Sequence, residues 1–206
     1  MADYFLSILF GYLIGSFPTA YLLVKFKIHK DIRQEGTGNV GTFNTFEVTQ
    51  SKAVSVAVLI VDILKGVAAV LMTKFLLNGE FWLIASSGVA AIIGHNYPVW
   101  LKFKGGRGLA VTAGVMLVFG WIFIVIWILS FAIVYLLSKN LHLGNILAIV
   151  ATPVIIALIP HEVIRIFIPY YVSPNNFIYL GIVVCSLLLV GHSDIIKLFF
   201  SKKKEG

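Results

Sequence analysis

Runs of apolar residues long enough to cross a bilayer recur from residue 4 to residue 200, and they leave this chain little choice of fold. A hydrocarbon core of roughly 30 Å takes about 20 apolar residues in a helix. Residues 4–26, 53–77, 81–99, 144–160 and 176–200 meet that length and are read as spans. The chain is 59% hydrophobic and 12% charged over 206 residues; soluble domains are about 25% charged. Its mean hydropathy is +0.97. The expected fold is all-α and polytopic, with residues 1–206 forming a single integral membrane domain. The N-terminus lacks the basic start and small-residue cleavage site of a signal peptide, so residues 4–26 read as a retained span. The lone Cys185 lies in an apolar run and offers neither a disulfide nor a metal site.

Residues 108–138 are harder to place. As one helix, their roughly 31 residues would rise about 46 Å, too long for one ordinary crossing. Two shorter helices meeting near Gly120 are the alternative, and the charges favour it. Cytoplasmic loops are rich in Lys and Arg. Two crossings give seven spans with the N-terminus outside and the C-terminus cytoplasmic. Lys25, Lys27, Lys30, Arg33, Lys52, Lys102, Lys104, Arg107, Lys139, Lys197 and Lys202 to Lys204 then lie inside, with Lys74 and Arg165 outside. One crossing would move Lys139, Lys197 and the basic tail outside. The formal charge of +7 with a basic C-terminal tail suits an anionic lipid surface. Nucleic acid is not expected as a partner, because no soluble basic domain exists to carry it.

Two glycine-rich loops interrupt the apolar pattern: Gly36-Thr37-Gly38-Asn39-Val40-Gly41 and Lys104-Gly105-Gly106-Arg107-Gly108. Glycine lets successive backbone amides converge on one point, and such nests bind anions. The first loop follows Arg33 and runs on to Asn44; it lacks the Gly-Lys-Ser/Thr ending of a Walker loop. The second follows Gly94-His95-Asn96-Tyr97-Pro98 and Trp100. Arg107 can grip a phosphate in bidentate fashion, while Lys104 acts as a point charge. Upstream, Pro18 should kink the first span, either turning Ser16 toward a cavity or serving packing with Ser16 satisfied by its own helix. Lys25, near the inner rim, either snorkels to lipid phosphate or points into a site. Asp62 and Lys65 share a helix face in an apolar span and read as a structural pair. His192, with Asp194 and Lys197 nearby, opens the inner end of the last span as an interfacial histidine or a substrate ligand. No His, Cys and carboxylate cluster has metal-ligand spacing, so neither metal nor cofactor is expected. There is no Gly-x-Ser-x-Gly nucleophile elbow.

Taken together, Gly15-Ser16-x-Pro18 with Lys25, Gly36-x-Gly38-Asn39-x-Gly41-x-x-Asn44, and Gly94-His95-x-Tyr97-Pro98 leading to Phe103-Lys104-Gly105-Gly106-Arg107-Gly108 resemble the bacterial acyl-phosphate:glycerol-3-phosphate acyltransferases. Asp62-Ile63-Leu64-Lys65-Gly66 and His192 also fit. The resemblance implies a seven-helix enzyme of the bacterial cytoplasmic membrane, its site facing the cytoplasm. It implies acyl transfer from acyl phosphate to the 1-hydroxyl of glycerol 3-phosphate, the first acylation of phospholipid synthesis. Ser16 and His95 are then the catalytic candidates. Lys25, Arg33, Gly36, Thr37, Gly38, Asn39, Gly41, Asn44, Lys104, Gly105, Gly106, Arg107, Gly108 and His192 are the substrate-binding candidates. The implied partners are acyl phosphate, glycerol 3-phosphate and membrane lipid, with an acyl-phosphate-producing enzyme as a further candidate. The chain departs from the family pattern at Phe43, at Glu47 in place of an arginine, and at Ile195 in place of an asparagine. The alternatives are another acyl acceptor, or a transporter or binding protein for phosphorylated lipid precursors. Transporters commonly show inverted repeats with broken helices at mid-membrane; here the halves do not match and the glycine loops lie at one rim.

Overall fold

The structure, a computed structural model, describes residues 1–202, with side chains through Phe199. Lys203 and Lys204 of the orientation argument lie outside the described residues. Among the described residues every regular element is helical. The chain packs as two compact units, Met1–Val118 and Phe119–Gly206.

The first unit is built from α1 (Ala2–Ser16), α2 (Thr19–Ile28), α3 (Thr42–Thr49), α4 (Lys52–Leu76), α5 (Phe81–Asn96) and most of α6 (Leu109–Phe119). Proline sets two of its boundaries. A residue before proline is pushed out of the helical region. Phe17 accordingly sits at φ −58°, ψ 120° and parts α1 from α2, as the kink at Pro18 requires. Tyr97 sits at φ −130°, ψ 60°, so α5 ends at Asn96, short of the expected 99. The second unit holds α7 (Ile122–Ser138), α8 (Leu141–Leu158), the short α9 (His161–Ile164), α10 (Pro174–Gly191) and α11 (Ser193–Lys202). There α8 packs between α7 and α10.

The helix over 108–138 does break next to Gly120. A Cβ at Gly120 would come within 2.6 Å of the Phe177 ring and 2.8 Å of Ile168, so the chain can pass there only as glycine. The span expected over 176–200 is corrected. His192 caps α10 at φ −102°, ψ 11°, and a separate helix follows. The polar Ser193 and Asp194 open that helix, which explains why the apolar run does not continue as one rod.

Burial is inverted relative to a soluble protein. Leu129, Ile133, Leu136 and Leu137 of α7 project outward, whereas Ser7, Asp62, Lys65, Ser87 and Thr152 are buried. Among the described residues, four helices are long and apolar enough to cross a membrane: Ala2–Ile28 through its break, Lys52–Leu76, Leu141–Leu158 and Pro174–Gly191. Leu109–Phe119 and Ile122–Ser138 are shorter apolar helices. The chain is a multi-pass, all-helical membrane protein.

In the first unit α1 and α5 approach to backbone contact. Without hydrophobic driving force between helices in lipid, close van der Waals approach over small residues holds them together. A Cβ on Gly15 would overlap the Ala91 carbonyl, and one on Gly94 the Tyr12 carbonyl. Ser7 Oγ adds a bond to Leu83 O at 2.7 Å. Gly15→Leu is therefore expected to force the helices apart and cost about 3 kcal/mol or more. Thermal unfolding in detergent measures this, and an unchanged midpoint contradicts the packing.

Candidate functional site

The two glycine loops meet. Val40 N–H donates to Gly105 O at 3.3 Å, and Arg33 Nη1 donates to Leu101 O at 3.1 Å. Both loops therefore lie at one end of the first unit's helices, beside the α1–α2 break. Beside their junction is a small cleft walled by residues 15–20, Val40, Asp62, Lys65, His95, Pro98, Leu101 and Gly105. Five of its side chains are polar and nearly fully buried: Ser16, Thr19, Asp62, Lys65 and His95.

The cleft rests on an ion pair. Lys65 Nζ lies 2.7 Å from Asp62 Oδ1 and donates to Phe17 O at 2.5 Å. The carbonyl that the Pro18 break leaves without a helical donor is thus taken by an ammonium from α4. His95 Nδ1 lies 3.8 Å from the same Asp62 oxygen. Its Nε2 faces Gly106, where a Cβ would overlap it. Gly106 N–H donates to His95 O at 3.0 Å, and Gly105 N–H to Asn96 O at 3.1 Å. The glycines of the second loop thus let it fold flat over His95. Gly108 at φ +85° turns the chain into α6. Lys102 (φ +55°) and Phe103 (φ +61°) occupy the left-handed region without being glycine. Such strain, of order 1–3 kcal/mol each, concentrates at functional loops.

Ser16 Oγ donates to Leu13 O at 2.9 Å and accepts from Trp100 Nε1 at 3.0 Å. No general base approaches it within these contacts, so it is not arranged as a nucleophile. Its place on the cleft wall suits it to orienting an oxygen.

The first loop holds its shape through Asn44, which is fully buried. Asn44 Nδ2 donates to Ile32 O, Glu35 O and Asn39 O at 3.2, 3.1 and 2.9 Å. Its Oδ1 accepts from Thr37 N–H at 2.8 Å. Gly38 N–H donates to Glu35 O, and Asn39 N–H to Thr37 Oγ1. The amides of residues 37–40 each have a partner within the protein: Asn44 for Thr37, Glu35 O for Gly38, Thr37 Oγ1 for Asn39 and Gly105 O for Val40. What stays exposed to a ligand is the first turn of α3, whose N-cap Gly41 supplies no side-chain cap. Gly36 at φ +57° and Gly38 at φ +71° serve the turn that wraps Asn44.

Arg33 is likewise spent. Its guanidinium grips Asp31, with Nη2 to Oδ2 at 2.6 Å, and sits 5.3 Å from the centre of the Tyr21 ring. The Arg33 hydrogen bond holds the Asp31 carboxyl below its ordinary value of 3.8, and Asp31 in turn raises Arg33. Lys25 is exposed, its Nζ 3.2 Å from Tyr21 Oη. Lys104 is exposed and Arg107 half-buried at the mouth of the second loop. His192 belongs to the second unit, buried with Nδ1 2.7 Å from Leu188 O. Glu47 is exposed on α3. Sequence reasoning treated Asp62 and Lys65 as a structural pair and missed them as cleft residues. The signal was there in the cost of placing ionisable groups inside a span. Trp100, noted in the sequence only as preceding the second loop, was missed as the donor to Ser16.

A helical membrane protein with a cleft at a proline-broken helix, lined by buried polar side chains and edged by a glycine–arginine loop, has the parts for handling a polar headgroup beside lipid. The family described as glycerol-3-phosphate acyltransferase matches residues 5–202, and the chain belongs to it. A glycerol-3-phosphate acyltransferase of Shouchella clausii is 39% identical over 90% of this chain and 87% of its own length. One of Bartonella henselae is 33% identical over 97% and 90%. The fold is similar to the crystal structure of PlsY (YgiH), an integral membrane glycerol 3-phosphate acyltransferase in its glycerol 3-phosphate form. That likeness has a TM-score of 0.79 at 26% identity, over 97% of this chain and 92% of that one.

Two outcomes test this geometry. Asn44→Ala strands several buried backbone groups and is expected to destabilise by about 3 kcal/mol, read from thermal unfolding; no change contradicts the plug. The Asp31–Arg33 link contributes at pH above the ordinary carboxylate value of 3.8 and is lost as pH falls through the lowered one. Amide protection of residues 31–35 is expected to fall in that acidic window, and in Asp31→Asn already at neutral pH. Equal protection in that variant contradicts the link.

Proposed function

We propose that the enzyme transfers a fatty acyl group from acyl phosphate to the 1-hydroxyl of glycerol 3-phosphate, releasing lysophosphatidate and inorganic phosphate. The observation that carries this is the cleft beside the α1–α2 break, whose wall gathers Ser16, Lys65, His95 and Gly105. Family membership supports the acceptor, and the motif resemblance together with the lack of a base beside Ser16 supports an activated acyl phosphate as donor. Acyl phosphate is already an activated mixed anhydride, so no protein nucleophile is needed, and Ser16 is not arranged as one. Direct attack requires positioning and charge neutralisation.

In this reading the open first turn of α3 faces the donor phosphate with its positive dipole end. Lys25 lies at the inner rim, and Lys104 and Arg107 draw the acceptor phosphate to the mouth. Ser16 turns its hydroxyl from Leu13 O to a substrate oxygen. His95 is covered by Gly106 on its Nε2 side, which favours a donor phosphate oxygen as the group that accepts the hydroxyl proton. Arg33, Asn44 and the residues between them shape the loop. His192 lies in the other unit, and the proposal assigns it no step. Residues 1–206 act as one catalytic domain, supported by one family match over 5–202. The chain crosses the bacterial cytoplasmic membrane seven times, with both loops facing the cytoplasm, as the distribution of Lys and Arg supports. Acyl chains enter from the bilayer, and an enzyme that makes acyl phosphate supplies the donor.

Purified protein given acyl phosphate and glycerol 3-phosphate is expected to form lysophosphatidate and phosphate in equal amounts. Acyl-CoA in place of acyl phosphate is expected to give no product. Product from acyl-CoA, or none from acyl phosphate, rejects the donor. Ser16→Ala is expected to lower kcat/KM by about 10- to 100-fold, the loss of one or two orienting hydrogen bonds.

A further inference from the structure

The Asp62–Lys65 pair asks for more explanation than stability gives. A buried ion pair is weak support for a fold, and apolar residues of similar volume often serve as well. In a lipid-embedded helix the cost of each charged group is higher still. Yet both residues of the pair lie on the wall of the cleft. An ammonium has three N–H donors. One goes to Asp62 Oδ1 and one to Phe17 O. Among the described residues the third N–H has no hydrogen-bond partner. On the same wall Thr19 Oγ1 is buried and also without a partner. Buried polar groups left unpaired in a cleft are unusual and point to an oxygen-bearing ligand that completes them.

We propose that Lys65 is a catalytic residue: its third N–H, assisted by the Thr19 hydroxyl, holds the carbonyl oxygen of the acyl donor as that oxygen becomes an oxyanion. This rests on the reading that the cleft receives the acyl group. The acceptor hydroxyl oxygen forms a bond to the acyl carbon, and the carbonyl π pair moves onto the oxygen facing Lys65. The pair then returns, and the bond from the acyl carbon to the phosphate oxygen breaks. The hydroxyl proton leaves on the phosphate, so Lys65 keeps its three protons throughout. Asp62 is a positioning residue that fixes the ammonium and balances its charge. The Phe17 carbonyl fixes it from the other side, so that the third donor has one direction left.

The test is kinetics of purified Lys65→Met with acyl phosphate and glycerol 3-phosphate, beside thermal unfolding. Loss of one oxyanion donor is expected to lower kcat by about 100- to 1,000-fold. Both KM values should stay within about threefold, because ground-state binding does not use this donor, while the melting point falls because Asp62 loses its buried partner. A kcat within about threefold of the unaltered enzyme overturns the inference. So does a loss carried by KM with kcat kept, the signature of a structural staple. If Lys65→Met does not fold, Lys65→Gln, which keeps a neutral donor for Phe17 O, is read by the same criteria. An unaltered enzyme that makes no lysophosphatidate from acyl phosphate rejects the proposed function, and this inference with it. Turnover by the unaltered enzyme with an undiminished variant rejects this inference alone.

Discussion

One ammonium joins the parts that the rest of the site is hung upon. Lys65 reaches from α4 to the carbonyl at the α1–α2 break while paired with Asp62 on its own helix. The break exists because proline cannot continue a helical hydrogen-bond ladder. At the break Phe17 O accepts from Thr19 N–H at 3.0 Å and from the Lys65 ammonium, and Asp62 offsets the cost of burying that charge. The consequence is a helix that opens beside a charged group and leaves a cleft where two helices would otherwise close against each other.

The second constraint is backbone proximity. Glycines on α1 and α5 bring those helices into contact, and the chain leaving α5 folds back over His95 through Gly105 and Gly106. The first glycine loop is then tied to the second by Val40 and Arg33. Seen this way the loops do unequal work. The second roofs the cleft with main chain. The first is a wrapped collar around Asn44, and only the helix it introduces presents open amides.

Much of this was legible in the sequence. Apolar run lengths gave the membrane class, and Pro18 and Gly120 marked real breaks. The glycine–arginine motif marked the roof of the cleft. What was not legible follows from the range of the interactions. Asn44 binds carbonyls from Ile32 to Asn39, a pattern set by loop conformation rather than residue type. That conformation gives the amides of residues 37–40 partners within the protein. Arg33 looked like a phosphate ligand because its partners, Asp31 and the Leu101 carbonyl, become neighbours only after folding. Asp62 and Lys65 were recognised as a pair, but their second contact, to Phe17, is long-range. The end of α10 at His192 depended on a local cap that an apolar run does not announce.

The account stands on the claim that acyl transfer occurs in the cleft beside the α1–α2 break. The most direct measurement is photolabelling of the purified protein with a stable acyl phosphonate carrying a photoreactive group next to its carbonyl carbon, followed by mapping of the labelled residues. The account predicts label on residues 15–20 and on the strand from Pro98 to Gly106, suppressed by excess acyl phosphate. Suppressible label confined to residues outside the cleft wall would contradict it.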